Sequence, residues 1–233
     1  MEAVKFVVKG FVNSFRIPQT SVYQLTYLAP TKTQIVGMLT NVMGKSERDY
    51  HRLLKEAKVG IVPLSIETVF VDVWLYKKWK AANLGRAILK REKLLNPRYL
   101  LYISASNAEE IKEALEMPKR IPSLGQDDEL IEIKEVAKSP LKGPSGSKIV
   151  HSIFRWDGET KFKPKLLGHQ QPMTKETQIY MPRVVTVNFD FDFDVVPRKP
   201  QNHVQIVEFS GICVELDREM GLYFDGERWV DMF

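Results

Sequence analysis

The stretch from Ser14 to Gly44, SFRIPQTSVYQLTYLAPTKTQIVGMLTNVMG, decides how the rest of the chain is read. A short alternating strand precedes it, with Val4, Phe6 and Val8 on one face and Lys5, Val7 and Lys9 on the other. Its second half is a helix, because Ile35, Met38, Leu39 and Val42 recur at helical spacing between Lys32 and Met43. Ala29-Pro30-Thr31 suits the start: proline pre-sets φ, and Thr31 or Thr33 can cap. Gly44 suits the stop. Between strand and helix lies a connection of about fifteen residues, and loops longer than a plain turn needs tend to carry function. Arg16 supplies a guanidinium, Gln19 and Gln24 supply amides, and Tyr23 and Tyr27 supply aromatic faces, a set suited to a nucleic-acid surface. Arg16 fits either a bidentate phosphate or guanine contact or the holding of a loop carbonyl. The tyrosines fit either base stacking or core packing with the hydroxyl at the rim.

Working outward, a second helix is predicted over Ser46–Lys58, with Tyr50, Leu53, Leu54 and Ala57 on one face. Strands follow at Val59–Leu64 and Glu67–Tyr76, and in the latter Val69, Val71, Val73 and Leu75 are expected to be buried. Another strand covers Arg98–Ser104; then Asn107 opens a helix over Ala108–Met117 that Pro118 ends. The last strand of this unit is Leu130–Ala137. Strand, helix, strand, strand, helix, strand predicts an α+β class with a ferredoxin-like, RRM-type βαββαβ domain over residues 1–138. Residues 139–149 read as a linker by their Pro, Gly and Ser content. Residues 150–233 read as a β-rich C-terminal subdomain with strands at Val150–Trp156, Arg183–Phe193, Val204–Leu216 and Gly221–Val230. Phe189, Phe191 and Phe193 alternate there with Asp190, Asp192 and Asp194, which is the pattern of a one-sided strand with solvated carboxylates and not of a metal site.

The segment at about 77–98 is basic: Lys77, Lys78, Lys80, Arg86, Lys90, Arg91, Lys93 and Arg98 stand against Glu92 alone. It sits between two expected strands, where a hairpin needs only a few residues. A basic projection of this kind, with Trp79 available for stacking, is a thumb able to grip a sugar–phosphate backbone. The other reading is a solvated helix over Ala81–Leu94.

The order Phe15, Arg16, Pro18, Gln24, Thr26, Tyr27, Ala29, Pro30, Ile35, Gly37, Met38, Leu39 resembles the N-terminal signature of the CRISPR-associated Cas-five family. The resemblance is specific over roughly the first 45 residues and looser, by element order, beyond them. It implies a member of the RAMP superfamily that caps the 5′ handle of the guide RNA in Cascade, a type I antiviral surveillance complex. Its partners would be the guide RNA, the backbone subunit and the large subunit, and its thumb would grip the handle. On that basis the RNA-binding set is Arg16, Gln19, Tyr23, Gln24, Tyr27, Lys77, Lys78, Trp79, Lys80, Arg86, Lys90 and Arg91.

Composition narrows the alternatives. The chain has 233 residues and a net charge of +5, enough length for a real core and a mild overall attraction to anions. The final fifth, from Thr186, is acidic while the two preceding segments, 77–98 and 138–183, are basic. Cys213 is alone, so an intrachain disulfide is excluded, and no metal or cofactor pattern is read. No apolar run of about 18 residues exists and the N-terminus reads as a strand and not a signal peptide, which fits a cytoplasmic protein. A branch of the resembled family cuts repeat RNA without metal, using a tyrosine, a lysine and an adjacent histidine. No Lys-His doublet occurs here. Tyr50, His51 and His169 are the weak catalytic candidates, so the expectation is a non-catalytic RNA binder, with a metal-independent endoribonuclease as the alternative.

Overall fold

The strand that opens the chain, β1 (Glu2–Gly10), becomes the interior of a sheet because both of its faces carry apolar residues. The computed structural model describes residues 1–77, 85–166 and 178–233. After β1 come two short strands, β2 (Val12–Asn13) and β3 (Tyr23–Gln24), and the helices α1 (Lys32–Val42) and α2 (Glu47–Glu56). Both helices start on capping boxes. Thr31 accepts from Gln34 N while the Gln34 side chain returns to the Thr31 backbone, and Ser46 with Asp49 does the same for α2. The chain continues through β4 (Lys58–Ser65), β5 (Thr68–Lys77), β6 (Arg86–Leu95), β7 (Arg98–Ser104), α3 (Ala108–Glu116) and β8 (Ile131–Pro140). Asn107 precedes α3 without making a side-chain cap.

The first sheet is antiparallel in the order β4-β7-β1-β8. Val4, Phe6 and Val8 face α1 and α3 and share one core with Ile35, Leu39, Ile111 and Leu115. The opposite face carries Ala3, Val7, Val62, Leu100 and Tyr102, packed with Val230 and Met232. Phe233 exchanges backbone hydrogen bonds with Val59 at 2.9 and 3.1 Å. Gly60 leaves room for this cover: a Cβ there would come within 2.5 Å of Val230 and 2.6 Å of Met232.

The remaining strands are β9 (Lys142–Val150), β10 (Phe154–Arg155), β11 (Phe162–Lys165), β12 (Tyr180–Asp192), β13 (Lys199–Ser210), β14 (Cys213–Phe224) and β15 (Trp229–Val230). One sheet runs β10-β13-β12 and another β11-β14-β15, with β9 also on β14. Residues 139–149, expected as a linker, hold the end of β8 and most of β9. The expected single strand Val204–Leu216 is two strands, because Gly211 takes a positive φ of 77° and turns the chain between β13 and β14.

The expected α+β class is therefore corrected. Among the described residues fifteen strands stand against three helices, distributed over four sheets, so the molecule is mostly β and not a simple ferredoxin-like βαββαβ fold. The βαββαβ element order accounts for one sheet only, and a separate hairpin, β5-β6, is inserted within it. The excess of strand comes from long runs of β-branched and aromatic residues outside that unit, such as VFVDVWLY at 69–76 and VVTVNFDFD at 184–192. An RRM-type reading also assumes an open sheet face. Here the residues of β15 and the chain's last residues cover it.

Candidate nucleic-acid interface

The loop after β1 is folded back on itself. Arg16 forms a bridge with Thr26, Ile17 N donates to Leu25 O, and Tyr27 N donates to Phe15 O. Phe15 anchors it, fully buried and edge-on to Tyr99 with ring centroids 5.8 Å apart. At its exit, Leu28 N donates to the Glu208 carboxylate and the Arg183 guanidinium reaches both Glu208 and Thr26 O. Burial pushes the Glu208 carboxyl up, while Arg183 and the Leu28 N–H act to lower it. What remains outside is the tip: Arg16, Gln19, Val22 and Tyr23 are exposed.

The tip meets the basic hairpin. β3 pairs in parallel with β6, setting Tyr23 beside Lys90 and Gln24 beside Arg91. β5 and β6 pair over ten residues each, with Lys77 opposite Arg86 at the described end. Residues opposite one another share a face. One face shows Lys77, Arg86 and Lys90 around Val71, Val73, Leu75 and Ile88, all exposed. The expectation that Val71, Val73 and Leu75 are buried is thus corrected: nothing in the described residues packs over them. The other face carries Trp74, with the Arg91 guanidinium 4.0 Å from its ring centre and its indole N–H donated to Asp72.

Loop and hairpin share a root at Glu129. This buried carboxylate accepts from Ser14 N at 2.7 Å, Ser14 Oγ at 2.6 Å and Gln126 N at 3.0 Å. Lys93 of β6 lies 3.5 Å from it and 3.6 Å from Asp72. Arg91 Nη2 also donates to Ser14 Oγ. The alternation of the hairpin thus sends one row of cations inward to fix the projection and leaves the other row outside.

Of the residues expected from sequence, Tyr23 stands beside Lys90, which shares the exposed hairpin face with Lys77 and Arg86; Arg16 and Gln19 are exposed on the loop that carries Tyr23, and Gln24, half-buried, stands beside Arg91 on the other face. Two do not serve as free contacts. Tyr27 is buried, with its hydroxyl donated to Thr186 O at 2.6 Å; burial first, then Glu208, pushes its pKa to about 12. Arg91 is 4 % exposed and is engaged by Trp74 and Ser14. Lys78, Trp79 and Lys80, with the weak catalytic candidate His169, lie outside the described residues. Tyr50 is buried, donates to Thr33 O, and is pushed to about 12 chiefly by burial. His51 is half-buried against the Phe193 ring.

A second feature escaped sequence reading. A groove of about 700 Å³ runs along α1, lined by Gln34, Asn41 and Lys45 on one side and by Arg120 and Arg198 beyond it. It reaches Gly125, where the chain passes close to the Ser14 carbonyl. The only sequence signal was the Lys119-Arg120 doublet held between Pro118 and Pro122.

Among the described residues no group of three His, Cys, Asp or Glu side chains is arranged to hold a metal, and no helix is long and apolar enough to cross a membrane. Comparison with known proteins gives a consistent answer. The chain is similar in fold to a protein of a "CRISPR RNA-guided surveillance complex", with 15% identity, a TM-score of 0.55, and 88% of this chain and 89% of that one covered. It is similar also to a CRISPR protein from Archaeoglobus fulgidus, with 12% identity, a TM-score of 0.56 and coverages of 99% and 98%. At such identities the likeness is one of fold. No curated protein matches the sequence significantly. The family model described as CRISPR-associated protein (Cas_Cas5) matches residues 3–193, and the chain accordingly belongs to the CRISPR-associated Cas5 family.

Proposed function

We propose that this protein is a non-catalytic RNA-binding subunit of a type I CRISPR Cascade complex that caps the 5′ handle of the guide RNA. The observation that carries the reading is the β3·β6 pairing, which joins the Arg16 loop and the basic hairpin into one exposed surface. Arg16, Lys77, Arg86 and Lys90 neutralise backbone phosphates, and Tyr23 offers a ring on which a single-stranded base stacks. Backbone contact and stacking let one fixed handle be held while the spacer varies. The apolar strip of Val71, Val73, Leu75 and Ile88 beside these cations is available to the backbone or large subunit of the complex.

Binding of a labelled repeat-derived single strand, measured by fluorescence anisotropy across a salt series, tests this. Replacing Lys77, Arg86 and Lys90 by Ala should lower the slope of log affinity against log salt by roughly 0.7 per lost contact, so by about 2 in all. The RNA should remain intact without metal. An unchanged slope would remove the hairpin as a phosphate grip, and a single cut in the repeat would replace capping by processing.

A further inference from the structure

At the far end of the first sheet from the hairpin lies a pocket of about 380 Å³. Four cations border it: Lys32 at the first turn of α1, Lys55 near the end of α2, Lys58 at the start of β4, and Arg155 of β10. Elements distant in sequence converge there, since α1, α2, β4, β10 and the β14 residue Tyr223 all contribute.

The charges of this pocket are poorly balanced from within. Arg155 is committed to the buried Asp231, 2.7 Å away, and the Glu56 carboxylate is occupied by the Ser106 N–H. Among the described residues Lys32, Lys55 and Lys58 make no ion pair within 4.0 Å, although Asp190 exerts a long-range attraction on Lys32. Lys32 is half-buried, and burial first, then the proximity of Arg155 and Lys58, lowers its pKa despite Asp190. Its place in the first turn of α1 adds to the strain. A helix N-terminus carries partial positive charge, and that turn contains no acid. The ammonium groups of Lys32, Lys55 and Lys58, without an ion pair among the described residues, border one concavity together with Arg155 and form a field that an anion relieves.

We propose that this pocket is a phosphate site that receives one backbone phosphate of the bound RNA strand. The inference rests on the RNA-binding reading only for the source of the phosphate. The eight-residue β4 separates Lys58 from Ser65 by about 23 Å at roughly 3.3 Å per residue. The pocket is therefore a contact separate from the hairpin surface, and a strand that reaches both must run the length of the sheet.

Two titrations test it on the full chain. Inorganic phosphate is titrated at constant ionic strength into wild type, the double variant Lys32→Gln/Lys58→Gln, and Lys90→Ala, with thermal unfolding as readout. Phosphate should stabilise wild type and Lys90→Ala equally, and its apparent affinity should fall at least tenfold in the double variant. Equal affinity in the double variant, or no saturable effect in wild type, overturns the site. In the second titration, labelled RNA is bound across a salt series. The double variant should lose roughly 0.7 of slope in all, the share of one phosphate, and phosphate should compete. A double variant that loses phosphate but keeps the full RNA slope overturns the assignment to RNA and leaves a free-phosphate site. If no variant binds RNA, it is the proposed function that fails, while the phosphate titration still decides the pocket.

Discussion

Replacing Glu129 by Gln should both destabilise the protein and loosen its RNA surface. The carboxylate accepts three hydrogen bonds, from Ser14 N, Ser14 Oγ and Gln126 N, and faces the buried Lys93 at 3.5 Å. A glutamine keeps one acceptor oxygen and turns an NH2 donor toward an N–H or hydroxyl that needs an acceptor. Hydrogen bonds to a charged group contribute about 1.5–3 kcal/mol each, and breaking a buried pair costs about 3–5 kcal/mol. Lys93 keeps Asp72 at 3.6 Å, which offsets part of the loss. The expected cost is therefore about 3–4 kcal/mol, or a fall in Tm of about 10 °C for a chain of this size. Urea unfolding and calorimetry measure it directly. RNA affinity should fall with it, because Ser14 and β6 lose their common anchor. Lys90→Ala, by contrast, should weaken RNA binding while leaving Tm unchanged. A Glu129→Gln cost below about 1 kcal/mol would refute the view that this carboxylate ties loop to hairpin.

Other expectations follow from the same geometry. Tyr27→Phe removes a single hydrogen bond to Thr186 O and should cost about 1 kcal/mol in urea unfolding; RNA affinity that drops more than twofold would show the hydroxyl to be an RNA contact after all. Val73→Ser on the exposed hairpin face should change stability by less than about 0.5 kcal/mol, and a larger loss would mean that the face is packed. Gly60→Ala forces a methyl against Val230 and Met232 and should cost about 1–3 kcal/mol; a neutral result would mean that this cover is loose. Burial alone would raise the Asp225 carboxyl, but Lys5, Tyr102 and the N–H groups of Glu227 and Arg228 together hold it well below the carboxylate range. A group depressed in the folded state stabilises above its unfolded pKa of about 3.9 and loses that contribution as pH falls toward the folded value. Asp225→Asn should therefore be less stable than wild type at pH 7, with the gap closing below about pH 4; a gap independent of pH would refute the assignment.

The local elements were legible because local chemistry decides them. Thr31 and Ser46 announce α1 and α2, and the alternation of Val4, Phe6 and Val8 announces β1. The hairpin shows where such reasoning stops. Alternation sorted β5 correctly into two faces, but it assigned the valines to the interior because apolar residues are usually buried. The inward face instead holds Trp74, Arg91 and Lys93, which are satisfied by Asp72 of the same hairpin and by Ser14 and Glu129 from elsewhere in the chain. Without those partners in view, a row of cations that includes Arg91 reads as solvent-facing. The 142–148 segment misleads in the opposite sense. Its Gly, Pro and Ser content signals flexibility, yet β14 offers an unpaired edge and β9 forms on it. The groove with Arg120 and Arg198 and the pocket with Lys32 and Arg155 depend on contacts between distant elements, which no spacing rule encodes.

The cover over the first sheet also governs how the molecule is made. Val59 finds its hydrogen-bond partner in Phe233, and Ala3, Val7 and Leu100 find their apolar cover in Val230 and Met232. During synthesis at roughly 5–20 residues per second, one face of the earliest sheet stays open for on the order of ten seconds or more before its lid emerges. Contacts of such long sequence separation also make folding slow, since distant segments must meet before the gain is realised. For that interval the nascent chain displays an apolar plane with free strand edges, a natural target for chaperones. Variants that weaken the lid, Gly60→Ala among them, should show lower soluble yield out of proportion to their loss of equilibrium stability.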